Sequence, residues 1–336
     1  MKKRNQNPNL AEIAEAAGVS KMTASRVLRD AGGFSEDTRD KVLREAERLN
    51  YVPNRLAAAF GSDAASTLIG VLVPRLSGGL FGDVVEGIDR TLSRFGYQTM
   101  IGTYENEPEA EEDWLRAVLS WRPAGLILTG RRRSPATNAM LATATIPVVE
   151  IWELNTRPLD VSVGVNHYDC GYEMGRLLIS RGRRRIGFVG AEAHGRGMGK
   201  VRSDGFAAAL ADAGLTEMGR EILRDKPGFY AGSYGTETLL IRHPTLDAIY
   251  FQDDEMAVGG LSYLRSRGLS APEDIGVAGW GGMDAATTLA RRLTTTAVSS
   301  NGLGKRAAEA MVARIRGEPV DDVIEIPARL IPGATG

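Results

Sequence analysis

The 336-residue sequence predicts an all-α helix-turn-helix domain followed by an α/β core of two doubly wound parallel-sheet subdomains. Three observations predict it. The first fifty residues hold three helix patterns with no strand between them. From Thr67 onward, short apolar runs alternate with stretches long enough for crossover helices. The segment GVSKMTASRV, residues 18–27, keeps polar side chains on one side of a helix and small apolar ones on the other.

Composition narrows the class. With 43% hydrophobic and 25% charged residues, and no apolar run near the roughly 20 residues that cross a bilayer, a water-soluble globular protein is expected. The start MKKRNQNPN is basic but has no apolar run behind it, so no signal peptide is expected. Cys170 is the single cysteine, which excludes an intramolecular disulfide and a multi-cysteine metal site and points to a reducing cytoplasm. Net charge is −1, yet residues 1–60 carry 11 Lys and Arg against 8 Asp and Glu, and the remainder 30 against 34. The N-terminal part is the basic one.

Asn9 precedes Leu10, Ile13, Ala14 and Ala17 at helical spacing, with Glu12 three residues on, as in a capping box. Gly18 ends that helix, and Ser20 can cap a second running to about Leu28. Ser35 can cap a third, with Glu36 and Asp37 in its first turn and Val42, Leu43, Ala46 and Leu49 expected inside. The short turn between the first two is that of a helix-turn-helix. At about 100° per residue, Lys21, Met22, Ser25, Arg26 and Arg29 share an arc of roughly 140°, opposite Thr23, Ala24 and Val27. The polar arc is suited to a DNA major groove. Pro53 and Asn54 open a further short helix, too short to stand alone in water.

Strands are expected at 68–73, 98–103, 125–129, 148–151, 161–165, 186–190, 248–252 and 275–279. They are apolar on both faces and separated by crossover lengths, the pattern of parallel sheets covered by helices. A ligand is then expected at the carboxyl ends of the strands, in the cleft between the subdomains. The divisions are 1–52, 53–66 and 67–336.

The order helix-turn-helix, YVPNRLAAAF, LIGVLVP, FQDDEMAVGG and EDIGVAGW resembles the LacI/GalR family of bacterial transcription regulators along essentially the whole chain. SKMTASRVLR, GYQTMIGTYENEPEAEE, LSWRPAGLILT, IPVVEIWE and RIRGEPV resemble the gluconate-utilisation branch of that family. The resemblance implies a periplasmic-binding-protein-like core, and a repressor whose affinity for a palindromic double-stranded DNA operator is set by a small effector, such as a sugar acid, bound in the cleft. It implies that Lys21 and Met22 select bases, that Arg26 supports them, and that Ser20, Thr23 and Ser25 touch phosphates; Arg29 joins the DNA-binding set by its place on the same arc. Asn54, Arg55 and Ala57 would lie on a minor-groove hinge helix, with Phe60 where the family usually places a leucine wedge.

For the effector, it implies Leu80 and Phe81 against one face, Arg202 from the R-x-x-G-F pattern, and Asp253 where asparagine is commoner, with Asp254 as a helix cap. Where many sugar-binding members read GYDD, this chain has Gly279-Trp280-Gly281-Gly282. Loss of that carboxylate lessens repulsion of an anion, so Arg202, Arg196 and Lys200 are expected to face a sugar-acid carboxylate such as that of gluconate. Glu150, Tyr230 and Trp280 complete the expected set. The ending IPARLIPGATG lacks an apolar heptad extension, so a homodimer is expected, with no membrane partner, cofactor or metal.

An enzyme is the competing class. GAEAHGRGMGKV, residues 190–201, looks like a phosphate loop, but His194 stands where the first glycine belongs and Val201 replaces the hydroxyl. His167, His194 and His243 show no metal-ligand spacing, and no G-x-S-x-G elbow occurs. His167 and Asp169 are the remaining acid/base candidates, in a segment that matches the family's passage from strand to helix. A sugar kinase would need a nucleotide site that the sequence does not display. A periplasmic sugar-binding protein would share the bilobed core but not the N-terminal segment.

Overall fold

The computed structural model describes residues 8–28, 31–52, 66–77, 79–105, 107–130, 133–191, 198–224, 228–284 and 288–336. The chain divides into two compact units, Met1–Ala65 and Ser66–Gly336.

In the first unit, α1 (Leu10–Ala16), α2 (Lys21–Leu28) and α3 (Glu36–Arg48) bury Ile13, Ala14, Ala24, Val27, Val42 and Ala46 together. Asn9 accepts from the amides of Ala11 and Glu12, and Glu12 reaches back to the Asn9 amide, closing a capping box. Gly18, at φ +65°, ends α1. Its amide bonds to the Glu15 carbonyl and that of Val19 to the Ala14 carbonyl, so two otherwise orphaned acceptors are satisfied. This turn sets the start of α2. Leu43 corrects the expected core: it is 42% exposed, because the buried stripe follows Val42, Ala46 and Leu49 at spacings of four and three, and Leu43 lies about 100° away.

The second unit has two parallel sheets. The first runs β11-β5-β4-β3-β1-β2, from β1 (Leu68–Val73), β2 (Gln98–Thr103), β3 (Gly125–Thr129), β4 (Val148–Glu153), β5 (Val161–Val165) and β11 (Val323–Glu325). The second runs β7-β6-β8-β9, from β6 (Ile186–Ala191), β7 (Gly219–Leu223), β8 (Ala248–Phe251) and β9 (Gly276–Ala278). In each, the chain reverses direction beside its first strand, creating a switch point at the carboxyl ends of β1 and β3, and again of β6 and β8. A third pairing departs from the expected all-parallel arrangement: β10 (Thr295–Val298) and β12 (Ala328–Ile331) run antiparallel.

Helices cover both sheets: α4 (Leu80–Arg94), α5 (Pro108–Ser120), α6 (Pro135–Thr143), α7 (His167–Ser180), α8 (Met198–Asp212), α9 (Phe229–Arg242), α10 (Asp254–Ser266) and α11 (Ser300–Arg316). Three helix pairs approach by the same device. A Cβ on Gly171 would lie 1.8 Å from the Arg202 carbonyl oxygen, and one on Gly205 2.0 Å from that of Tyr168. Gly232 and Gly259 do the same for α9 and α10, and Gly87 and Gly304 for α4 and α11. Each pair therefore packs backbone on backbone, with no side chain between.

Gly171→Ala forces α8 away from α7 and is expected to lower the unfolding free energy of the Ser66–Gly336 unit by about 2–3 kcal/mol. Gly82→Ala, whose added carbon meets nothing nearer than 3.7 Å, is expected not to destabilise the unit and to gain up to about 1 kcal/mol from helix propensity. Urea denaturation of both variants checks the contrast.

Candidate nucleic-acid and effector sites

α2 is shaped by its two sides. Ala24 and Val27 are buried, whereas Lys21 and Arg26 are exposed and Met22 is 73% exposed. The Ser20 hydroxyl accepts from the Thr23 amide at 3.1 Å and shares a 2.9 Å hydrogen bond with the Thr23 hydroxyl, placing both at the helix start, with Ser25 half-buried one turn along. Glu12 in α1, and Glu36 and Asp37 in α3, complement the positive N-terminal ends of those helices; α2 has no acidic residue in its first turn. Apart from the Thr23 amide that Ser20 takes, its N-terminal amides and positive dipole end suit an anion such as phosphate. The Arg26 guanidinium lies over the backbone at Gly33, where a Cβ would come within 2.4 Å of Nη2. Arg29, Asn54, Arg55, Ala57 and Phe60 lie outside the described residues.

In the second unit a cavity of about 440 Å³ opens at the carboxyl ends of both sheets, within the size range of small-ligand sites. Segments after β1, β8 and β9 line it, together with the starts of α8 and α11. Leu80, Phe81 and Trp280 supply apolar surface. Phe81 packs edge-on against Trp152, which in turn touches Trp280. Arg202 is 4% exposed: its Nη2 donates to the Gln252 carbonyl at 2.8 Å, and its guanidinium carbon sits 3.8 Å from the centre of the Trp280 ring.

Asp253 lines the cavity and caps α10, accepting from the Met256 amide at 2.8 Å. The cap expected of Asp254 thus falls one residue earlier. Asp254 also lines the cavity and is buried, accepting from the Thr295 hydroxyl at 2.6 Å and the Met283 amide at 2.8 Å. Burial, opposed by those donors, pushes its carboxyl up to about 6. Several lining residues were not expected from the sequence, among them Arg75, two residues past the end of β1, and Gln252, directly past β8 and before the aspartate pair. Their position just beyond a strand end was the available signal. Arg75 Nη2 stands 3.9 Å from Glu255, an ion pair between segments that follow different sheets.

Three expectations are corrected. Lys200 is exposed and pairs with Asp204 one helical turn on, and Tyr230, 57% exposed, stacks on Tyr234; neither lines the cavity. Glu150 lies on the other face of the first sheet. Alternation would put it on the same face as Trp152, but Trp152 has a left-handed backbone, φ +77°, and packs into the same core as its neighbour Ile151. Trp152 therefore turns to the cavity side and Glu150 away from it. The Glu150 carboxylate is taken by Arg133 Nη1 at 2.8 Å, Asn155 Nδ2 at 3.1 Å and the Leu159 amide at 2.9 Å. Asp169 accepts from Asn166 Nδ2 at 2.6 Å, while His167 bonds elsewhere, so the two do not form an acid/base pair. Arg196 lies outside the described residues. Among the described residues no metal-binding cluster occurs, and no helix is long and apolar enough to cross a membrane.

Residues 9–54 match the bacterial regulatory proteins of the lacI family, and residues 66–334 match the periplasmic binding proteins and sugar binding domain of the LacI family. The chain belongs to the LacI family. This LacI-family chain is 35% identical over 338 residues to the HTH-type transcriptional regulator GntR of Escherichia coli K12, covering 99% of each, and 30% identical over 314 residues to IdnR of the same strain, covering 93% of each. A solved LacI-family transcriptional regulator from Silicibacter pomeroyi superposes with a TM-score of 0.91 at 36% identity, covering 98% of this chain and 99% of that one. The lac repressor dimer bound to operator and anti-inducer superposes at 0.85 with 23% identity over 98% of this chain and 99% of that one, a likeness of fold. The chain is a DNA-binding transcriptional regulator, not an enzyme.

The network behind Glu150 has a pH signature. Arg133 also faces Glu111 at 3.7 Å, and burial, with the nearby Glu112 charge adding to it and Arg133 opposing, raises the Glu111 carboxyl to about 7. The folded state thus holds a proton that the unfolded chain releases from about pH 4.5 upward. This contribution is complete below that value and is lost as pH rises through about 7. Glu111→Gln is expected to lessen the decline in stability between about pH 5 and about pH 7.5 by on the order of 2 kcal/mol, read by urea denaturation at both pH values.

Proposed function

We propose that this regulator binds a palindromic operator as a cytoplasmic homodimer and that a small sugar acid, with gluconate as the leading candidate, occupies the cavity and sets its operator affinity. The observation that carries the effector reading is a set of buried donors. Arg75 Nε, Arg202 Nε and Gln252 Nε2 have no hydrogen-bond partner among the described residues, and all three residues line the cavity. Each unsatisfied buried donor costs about 1–3 kcal/mol, which an acceptor-rich ligand recovers on binding. A carboxylate suits the arginines.

The other lining groups suit a polyol. Asp253, Asp254 and Glu255 accept from hydroxyls, and Leu80, Phe81 and Trp280 cover the carbon chain. The same charges weigh against a phosphorylated sugar, the alternative effector. Asp83, Asp253, Asp254, Glu255 and Asp284 face only Arg75 and Arg202 among the described lining residues, so a dianion meets more repulsion than a single carboxylate does.

On the DNA side, Lys21 and Met22 read base edges, Arg26 and Arg29 support them, and Ser20, Thr23 and Ser25 hold phosphates. Asn54, Arg55, Ala57 and Phe60 serve the minor groove. Two recognition helices in a two-fold dimer call for a two-fold operator. Effector binding then shifts operator affinity, and operator DNA shifts effector affinity by the same factor.

The test uses an operator selected by the full chain from random DNA, followed by fluorescence anisotropy with and without D-gluconate. Wild type is expected to change its operator affinity on adding D-gluconate. Arg26→Ala is expected to lose about tenfold or more in operator affinity while keeping D-gluconate binding. Arg202→Gln is expected to keep the operator but ignore D-gluconate. A preserved response in Arg202→Gln removes this arginine from the site.

A further inference from the structure

Arg202 is held from two sides. Its Nη2 donates to the Gln252 carbonyl just past β8, while Nη1 meets His167 Nδ1 at 3.0 Å and His167 Nε2 meets the Trp152 carbonyl of β4 at 3.2 Å. A guanidinium only donates and a carbonyl only accepts. One imidazole form makes both contacts: neutral, with its hydrogen on Nε2 and the Nδ1 lone pair turned to the arginine. An imidazolium would set an N–H and a second positive charge against the guanidinium. Burial, reinforced by the Arg202 charge, holds the ring well below the usual histidine pKa, in the same sense.

The surroundings leave the ring little choice. His167 is buried, its ring centre lies 5.3 Å from that of Trp280, and Arg202 stacks on the same indole. The acceptor carbonyl belongs to Trp152, the strand residue with the left-handed backbone. Gly171, one turn into the helix that His167 begins, lets the Arg202 backbone come within contact of that helix.

We propose that His167 is a positioning residue for effector recognition: as its Nε2–H tautomer it orients the Arg202 guanidinium and ties it to the six-stranded sheet, so that an anionic effector acts on both sheets through one arginine. The proposal rests on Arg202 being the group that takes the effector's carboxylate. It adds a route by which occupancy reaches β4 as well as β8.

Nitrogen-15 NMR of the histidine-labelled full chain tests the relay without any ligand. The chain has three imidazoles, and His167→Gln identifies the relevant signals by their loss. His167 is expected to keep a neutral Nε2–H pattern from about pH 8 to about pH 5.5; an Nδ1–H pattern, or titration near the ordinary value of about 6.5, overturns the relay. Calorimetry with D-gluconate reads its consequence. His167→Leu is expected to bind at least about tenfold more weakly, and His167→Gln, whose amide can accept from arginine and donate to a carbonyl, to recover most of that loss. Equal affinity in wild type and His167→Leu contradicts the positioning role. If wild type takes up no D-gluconate, the effector reading fails and the NMR result alone decides the relay.

Discussion

The arrangement of the effector unit depends on burying one positive charge. A guanidinium withdrawn from water is tolerable only when its N–H groups are met and its charge is balanced or spread. Arg202 meets a carbonyl from one sheet, an imidazole linked to the other, and an indole face. Each contact fixes something else. The carbonyl fixes the end of β8 and hence the aspartate pair behind it. The imidazole fixes a tautomer and the end of β4, and the indole fixes the segment after β9. Arg202 Nε has no hydrogen-bond partner among the described residues, which is what supports the proposed acceptor-bearing effector.

The helix that carries Arg202 packs at less than ordinary helix spacing. The α7–α8 contact brings the Arg202 carbonyl against Gly171, and the α9–α10 and α4–α11 contacts repeat the device. Each pair carries part of the lining: Arg202 on α8, Asp254 and Glu255 on α10, Leu80 with Ser300 on α4 and α11. A cavity built by backbone-to-backbone packing resists local adjustment, so the proposed effector would act on whole helices.

Much of this was legible in the sequence because it rests on local rules. The Asn9–Glu12 cap, the Gly18 turn, the split faces of α2 and the apolar strands follow from short-range spacing. Arg202, Leu80 and Phe81 came instead from the resemblance to the family, whose R-x-x-G-F and strand-end motifs they match, and Trp280 from the departure from GYDD. What was missed depends on tertiary or backbone departures. β7 reads GREIL and was invisible as an edge strand because its side chains alternate between partial and full exposure. Glu150 was misplaced because it was expected at a strand end, whereas β4 runs on to Glu153 and the left-handed Trp152, not Glu150, turns its side chain to the cavity side. The His167 link joins residues far apart in the chain, and no spacing rule brings them together.

The central claim is that an anionic end, held by buried arginine, distinguishes the effector. Isothermal titration of the full-length protein with D-gluconate and with D-sorbitol, the polyol that lacks the carboxylate, addresses it directly. The account predicts saturable D-gluconate binding at about one site per chain, with D-sorbitol weaker by at least about tenfold, the loss expected when charge-assisted hydrogen bonds to arginine are removed. Equal affinity for the two, or binding of D-sorbitol alone, would contradict it.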